Sequence, residues 1–153
     1  MEKVTFIIML LLISLLTGCD QSSSQRIHTI ISPTVLPENA QSFIQQHFSE
    51  FEIKEAVCEK RTNIVQYEVD LKGGVDLQFD RNGICTEVNC KKSAVPEAII
   101  PNEIIQIIHQ RFPGRFIIKY EHDNRLFDID LNDGTELAFN RSFRLIDIDQ
   151  KDD

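Results

Sequence analysis

The sequence predicts an α+β fold, a tandem repeat of one helix and a four-stranded antiparallel meander, with both helices packed on one face of a shared antiparallel sheet. Three observations predict it: a motif that occurs twice, apolar residues at alternate positions within it, and a proline-led helical pattern before each copy. With 153 residues, 42% hydrophobic and 26% charged, the composition is that of an ordinary globular protein. The chain is long enough to form one domain of this kind.

The repeated motif predicts two β-hairpins. YEVDLKGGVDLQF at residues 67–79 recurs as FDIDLNDGTELAF at residues 127–139, with apolar residues on apolar residues and Gly74 on Gly134. Large apolar side chains alternate with acids, which is typical of a strand that has one buried face and one wet face. The LysGlyGly and AsnAspGly segments between the strands are tight-turn sequences.

The residues before each hairpin predict a helix. Pro37 and Pro101 each precede apolar residues at helical spacing, and proline suits a helix start because its missing N–H needs no partner there. Further strands are expected at residues 52–58, 84–89, 115–121 and 143–149. We therefore expect one domain at residues 35–153, with repeats at 35–93 and 94–150 and a sheet of up to eight strands.

The first residues of the chain predict export. Val4 to Leu16 form an uncharged run that is too short to span a bilayer but suits a signal peptide, here residues 1–18. The run ends in LTGC, which resembles a bacterial lipobox with lipid attachment at Cys19. A soluble secreted protein and an uncleaved anchor are the alternatives.

Residues 19–34 are predicted to be the lipid-attachment cysteine and a flexible tether, because the stretch DQSSSQ is polar and rich in serine. The expected location is the bacterial cell envelope, with the protein lipid-anchored to a membrane on its periplasmic or cell-surface side. The choice between inner and outer membrane is left open.

The charge of the chain argues against a nucleic-acid partner. The formal net charge is −8, whereas phosphate binding needs a basic footprint. The longest basic runs are Lys60-Arg61 and Lys91-Lys92, which are too short to indicate a binding patch.

A lipoprotein signal followed by a proline-led helix, YEVDL, a glycine turn, LxFD and Asn-Gly resembles the PepSY-like family, which is related in fold to the beta-lactamase inhibitor protein. The resemblance runs from Val35 to Asp149. Residues 80–83 keep the family's Asp and Asn-Gly turn, whereas residues 140–143 depart from it. The resemblance implies a secreted, non-catalytic module that binds other proteins through an open sheet face. Inhibition of a beta-lactamase does not carry over.

Reactive side chains do not predict an enzyme or a cofactor. The four histidines are scattered, and no nucleophile elbow, phosphate loop or dinucleotide glycine pattern occurs. With lipid on Cys19, the cysteines left are Cys58, Cys85 and Cys90, for which one disulfide and one free thiol are expected in an oxidising compartment. The pairing is left open, and a zinc site built from these three is a rival interpretation.

The wet face of the sheet is the candidate binding surface for an unknown envelope or extracellular protein. The residues expected to form this face are Glu68, Asp70, Asp76, Gln78, Asp80, Asp128, Asp130, Glu136 and Asn140. Such an acidic surface suits a basic partner or a cation such as calcium, although simple solvation also explains it. The alternative functions are a metal-binding or hydrolytic envelope protein and a structural component of an outer-membrane assembly machine.

Overall fold

The computed structural model describes residues 26–150, which form one antiparallel sheet and two α-helices. The helices are α1 (Glu38–His47) and α2 (Asn102–Arg111). The strands are β1 (Ile27–Ile30), β2 (Ile53–Arg61), β3 (Ile64–Leu71), β4 (Val75–Asp80), β5 (Cys85–Asn89), β6 (Ile117–His122), β7 (Leu126–Leu131), β8 (Thr135–Asn140) and β9 (Leu145–Gln150). The strand order in the sheet follows the chain from β1 to β9. The prediction of an α+β fold with an antiparallel sheet is confirmed.

The predicted tether is wrong where β1 lies. β1 pairs antiparallel with β2, with Ile27 opposite Lys60, and a 3-10 helix follows at Pro33–Val35. The sheet therefore has nine strands, one more than the sequence predicted. A strand of only four residues is too short to show a clear alternation, which explains the error. The predicted signal peptide, the predicted lipid site Cys19 and the predicted tether up to residue 25 lie outside the described residues.

Both helices begin and end in the same way. Pro37 and Pro101 stand at the N-cap positions, and each helix closes at a phenylalanine whose backbone N–H donates to the carbonyl four residues earlier. The buried side chains lie at helical spacing, Ala40 and Ile44 in α1 and Ile104, Ile105 and Ile108 in α2. Neither helix of residues 26–150 is long and apolar enough to cross a membrane.

The core consists of alternate residues of the strands and the buried positions of both helices. In β4 and β8 every second residue is buried, so that Phe79 and Phe139 occupy equivalent positions with no exposed area. The Phe43 ring of α1 meets the Phe79 ring edge to face, with centroids 5.7 Å apart. Each fully buried side chain of this size contributes roughly 1.5–3 kcal/mol, so the alternation fixes which face of the sheet turns inward.

Equivalent residues of the two copies have equivalent neighbours. Tyr67 stands opposite Phe79 across β3 and β4, and Phe127 stands opposite Phe139 across β7 and β8. The hairpin turns match as well, because Gly74 and Gly134 each donate a backbone hydrogen bond to the leucine three residues earlier. The internal duplication seen in the sequence is therefore a duplication of structure.

The turn after β8, whose sequence differs from that of the turn after β4, keeps the same geometry. Asp80 Oδ1 accepts hydrogen bonds from the N–H groups of residues 82 and 84, and Asn140 Oδ1 accepts them from residues 142 and 144. Gly83 has φ +79°, and Phe143, at the matching position, has φ +56°. This left-handed conformation costs about 1–2 kcal/mol for a phenylalanine. Its ring packs 5.3 Å from that of Phe127, and this burial offsets the strain.

Gly83 is predicted to be the glycine of the fold that tolerates alanine least. A Cβ at Gly83 would lie 2.7 Å from Pro37 Cβ and 2.8 Å from the backbone nitrogen of Ala40, whereas one at Gly134 would meet nothing within 4 Å. Both glycines have positive φ, so the two substitutions share the conformational cost. We expect Gly83→Ala to destabilise the fold by about 1–3 kcal/mol more than Gly134→Ala, because of the clash. Urea unfolding measures the difference, and equal losses would contradict the contact between this turn and α1.

Candidate functional site

The outer face of the sheet is the face whose residues alternate with the core residues. The register of the sheet arranges the side chains of this face in two rows. Each residue of a row stands directly opposite the next across neighbouring strands. The first row is Glu55, Asp70, Asp76, Asn89, Lys119, Asp130, Glu136 and Asp149. The second is Val57, Glu68, Gln78, Glu87, Glu121, Asp128, Ala138 and Asp147. We call these the acidic rows.

Most of the residues predicted for the wet face lie in the acidic rows. Glu68, Asp70, Asp76, Gln78, Asp128, Asp130 and Glu136 are all brought together there. Asp80 and Asn140 lie at the ends of their strands, opposite Gln66 and Leu126. Because their Oδ1 atoms hold the following turns, these two residues have a structural role at the border of the face.

Sequence reasoning missed Glu87, Glu121, Asp147 and Asp149, because β-bulges change the alternation. In β5, Cys85 pairs with Phe79 and Val88 with Leu77, so both face the core although they are three residues apart. The bulge between them turns Glu87 outward, where strict alternation from Cys85 would point it inward. Equivalent irregularities occur in β2, β6 and β9. Two neighbouring polar residues or two neighbouring apolar residues within a predicted strand are the sequence signal that could have located these bulges.

Lys119 lies where the two copies meet, on β6 next to β5. Its Nζ donates a hydrogen bond to Glu121 Oε2 at 2.8 Å and lies 3.7 Å from Glu87 Oε1. Burial alone lowers the pKa of Lys119, but the hydrogen bond to Glu121 and the charges of Glu87, Glu121 and Asp130 outweigh it, so its pKa is raised. A cation is therefore held at the centre of the acidic rows.

Two carboxylates of the rows are harder to ionise than usual. Burial raises the pKa of Glu87, with further contributions from Glu121, Asp130 and Asp76, while Lys119 opposes the shift. Burial also raises the pKa of Asp128, with the charges of Glu121 and Asp123 adding to it. The outer face therefore carries more negative charge than its own cations balance.

Each copy forms a shallow groove in the outer face. The groove of the first copy is about 260 Å³ and includes Asp70 and Asp76, which pair with Lys54 at 2.6 Å and Lys91 at 2.9 Å. The groove of the second copy is about 400 Å³ and is lined by Glu121, Asp128, Asp130, Glu136, Asp147 and Asp149 among others. Its floor includes Ala138, at the position that Gln78 fills in the first copy. The shorter side chain makes the second groove the larger of the two.

The structure corrects the expected disulfide. Cys58, Cys85 and Cys90 are all free thiols. Cys58 is on β2 and Cys85 on β5, three strand spacings or roughly 14 Å apart, whereas a disulfide needs Cα atoms within about 7 Å. Cys85 and Cys90 stand at opposite ends of β5. Burial raises the pKa of Cys85 to about 12, which keeps it protonated and unreactive at neutral pH.

Two of the described histidines, His109 and His122, contact neighbouring segments of the fold. His109 Nε2 lies 3.0 Å from Glu97 Oε1, and His122 Nε2 lies 2.9 Å from the carbonyl oxygen of Cys85. Within residues 26–150, no group of three or more His, Cys, Asp or Glu side chains is arranged to hold a metal ion. These contacts connect neighbouring segments of the fold.

The sequence matches a family model described as "Putative beta-lactamase-inhibitor-like, PepSY-like" twice, at residues 23–84 and 65–147. The chain belongs to the PepSY-like family. The two matches agree with the duplicated structure, and the resemblance seen in the sequence is confirmed. No curated protein matches the chain.

Three solved structures share the fold. The first is described as a putative calcium-regulated periplasmic protein of Bacteroides thetaiotaomicron, with TM-score 0.78 and 37% identity, covering 80% of this chain and 97% of its own. A putative periplasmic protein of the DUF2874 family from Bacteroides vulgatus has TM-score 0.78 and 35% identity, with coverage of 87% and 100%. Another from Bacteroides vulgatus, of unknown function, has TM-score 0.77 and 25% identity, with coverage of 82% and 100%. All three are described as periplasmic, which supports an exported, envelope location for this member of the PepSY-like family.

Glu87→Gln is predicted to stabilise the protein at pH 7. Because the pKa of Glu87 is raised in the folded state, the folded protein keeps this proton at pH values where the unfolded chain has already lost it. The wild type therefore loses stability as the pH rises from the pKa of the unfolded state to that of the folded state. Glutamine resembles the neutral acid and removes this loss. We expect a gain below about 1 kcal/mol at pH 7 that disappears at pH values below about 4.

Urea unfolding at both pH values measures the gain from Glu87→Gln. Glu50→Gln, at an exposed position outside the sheet, is the control and should change stability by less than about 0.5 kcal/mol. A loss of stability in Glu87→Gln at pH 7 would show that attraction to Lys119 outweighs the burial of the carboxylate.

Proposed function

We propose that this protein is a lipid-anchored, non-catalytic envelope protein that binds another protein through the outer face of its sheet. The acidic rows carry the proposal. They present carboxylates of both copies on one continuous surface, and all of these carboxylates are exposed or half-buried. A basic protein surface has the charge that complements them.

The cost of the acidic rows to the fold supports a binding role. Asp70 stands opposite Asp76, Asp130 opposite Glu136, and Glu87 opposite Glu121. Like charges directly opposite each other across strands are destabilising, by roughly 0.2–1 kcal/mol a pair. Lys54, Lys91 and Lys119 offset part of this repulsion in the free protein. A partner that brings further Lys or Arg side chains to the rows would offset more of it on binding.

The placement of both helices opposite the rows supports the availability of this face. Buried residues of α1 and α2 belong to one hydrophobic cluster with inward residues of β3, β4, β7 and β8. We propose that both helices pack on that inner face. The outer face is then the large uncovered surface of the domain, as is common for antiparallel sheets.

The proposed anchor is lipid on Cys19. The LTGC sequence follows an apolar run of signal-peptide length, and the three structural neighbours are described as periplasmic. Several acyl chains on one residue hold a protein at a membrane for long periods. The binding face would then act on partners in the envelope rather than on proteins free in the medium.

A photo-crosslinking amino acid at single positions tests the binding face in native envelopes. Gln78 lies in the acidic rows, and Gln46 lies on α1 as the matched control. We expect a defined crosslinked product from position 78 that is absent from position 46. The double substitution of Asp70 and Asp130 to lysine should abolish the product, because it replaces attraction to a basic partner with repulsion. The same product from both positions, or one that survives the double substitution, would contradict binding through this face.

Calcium binding is a second candidate function, favoured by the relative described as calcium-regulated. Calcium takes six to eight oxygen ligands, and the groove of the second copy is lined by Asp128, Asp147 and Asp149 among other acids. Since no described group is arranged as a metal site, calcium would have to draw these carboxylates together.

Isothermal titration of the protein with Ca²⁺ tests this second candidate. We expect weak binding, with a Kd of roughly 10⁻⁴–10⁻³ M. The Asp128→Asn variant should bind Ca²⁺ more weakly than the wild type. An equal titration with Asp133→Asn, in the turn between β7 and β8, is the control. The absence of heat with the wild type, or equal losses in both variants, would reject calcium binding in this groove.

A further inference from the structure

Arginines that are far apart in the sequence meet at one end of the sheet. Because the strands are antiparallel and follow chain order, the turns after β2, β4, β6 and β8 all lie at the same end, together with the start of β1. We call this the basic end. Its arginines are Arg26, Arg61, Arg81, Arg125, Arg141 and Arg144, whereas the chain has only Arg111 and Arg115 elsewhere. No run of the sequence shows this cluster, since each turn contributes one or two residues.

The charge of the basic end is opposite to that of the whole chain. The arginines there are largely accessible, with the Arg125 side chain 84% exposed and that of Arg26 52% exposed. Acids at this end include Glu38, Glu59, Asp80 and Asp123. Glu59 is buried, 3.1 Å from both Arg26 Nε and Arg61 Nε. The arginines outnumber these acids, in a chain whose net charge is −8.

Apolar side chains are exposed among these arginines. Ile64 begins β3 and is 55% exposed, and Ile84 closes the turn after β4 and is 48% exposed. Cationic side chains interspersed with exposed aliphatic ones match the interface of an anionic bilayer, where guanidinium groups meet headgroups and apolar tips enter the upper acyl region.

We propose that the basic end lies against an anionic lipid bilayer, with the strands directed away from the membrane. The inference rests on the proposed membrane attachment through the residues before Arg26. The apolar run Val4 to Leu16 and Cys19 join the described fold at Arg26, at the basic end itself. The seven residues from Cys19 to Arg26 can span at most about 25 Å. Lipid on Cys19 and an uncleaved apolar run both bring this end to the membrane first.

The orientation also sets the position of the acidic rows. Asp70 and Asp76 pair next to the turn between β3 and β4, at the end opposite the basic end. Because Asp70 and Asp76 are paired with Lys54 and Lys91, the orientation rests on the attraction of an anionic surface for the arginines of the basic end. The first acidic row then lies toward the compartment beyond the membrane, where a partner can reach it, and the second row lies nearer the basic end.

Tryptophan fluorescence can locate the surface that contacts the bilayer, because the chain contains no tryptophan. Ile64→Trp places a probe at the basic end, and Phe116→Trp places the matched probe at the opposite end, where Phe116 is 39% exposed. The full chain is reconstituted into vesicles of phosphatidylglycerol and phosphatidylcholine whose acyl chains are brominated close to the headgroup. We expect strong quenching of the probe at position 64 and none at position 116.

The contribution of charge is measured with two further changes. Arg81→Gln and Arg144→Gln, in the Ile64→Trp background, should each reduce the ratio of quenched to unquenched protein about fivefold, and Lys92→Gln at the opposite end should not change it. In vesicles of phosphatidylcholine alone, the probe at position 64 should no longer be quenched, although the protein stays attached to the vesicles.

The outcomes separate this inference from the anchor. Protein that sediments with vesicles but shows equal quenching, or none, at positions 64 and 116 overturns the orientation and leaves the attachment intact. Protein that does not stay with the vesicles overturns both. Quenching unchanged in phosphatidylcholine overturns the role of the arginines. A DNA duplex that displaces the probe at position 64 from anionic vesicles would assign the basic end to nucleic acid instead.

Discussion

The alternation of core and solvent residues along an antiparallel sheet is the constraint on which the rest of this structure depends. A shift of one residue in any strand would exchange its core side chains for charged ones. Phe79 and Phe139 have no exposed area and are followed by Asp80 and Asn140, so such a shift would expose the two rings and bury these polar side chains. The register is therefore fixed strand by strand. Once the register is fixed, the positions of the side chains in the rows of the outer face are fixed as well.

The duplication explains why the acidic rows extend over both copies and why the two halves of each row carry different residues. One copy alone would leave strand edges and a helix face uncovered, and joining β5 to β6 makes a single sheet from two copies. Lys119 occupies this seam, with Glu87 and Glu121 around it. The bulges recur at matching places in both copies, so equivalent positions turn outward in each, although their residues differ, with Glu55 in the first copy and Lys119 in the second. Ala138 stands in place of Gln78, and the groove of the second copy is the larger of the two.

Antiparallel topology also separates the charges along the strands. Turns that are distant in sequence converge at one end, where the arginines collect, while carboxylates spread over the face and toward the other end. A domain with this distribution has a preferred orientation near any charged surface. In the proposed setting, the same separation holds the domain to a membrane and presents the acidic rows to a partner. The proposed orientation and the proposed binding face then both depend on one meander.

The sequence by itself determined the two copies, their helices and hairpins, the family, and the wet positions in the strands of each hairpin, because these depend on local spacing and turn chemistry. Only the tertiary structure decided the rest. β1 exists because β2 offers it an edge, and Glu87 faces outward because of a bulge in pairing with β4. Phe143 adopts a glycine conformation because Phe127 packs against it. Cys58 stays free because β3 and β4 separate it from Cys85, and Cys85 and Cys90 stay free because they stand at opposite ends of β5. The arginines meet because alternate turns share one end. Each of these depends on which strands are neighbours, a relation between distant residues that local patterns do not contain.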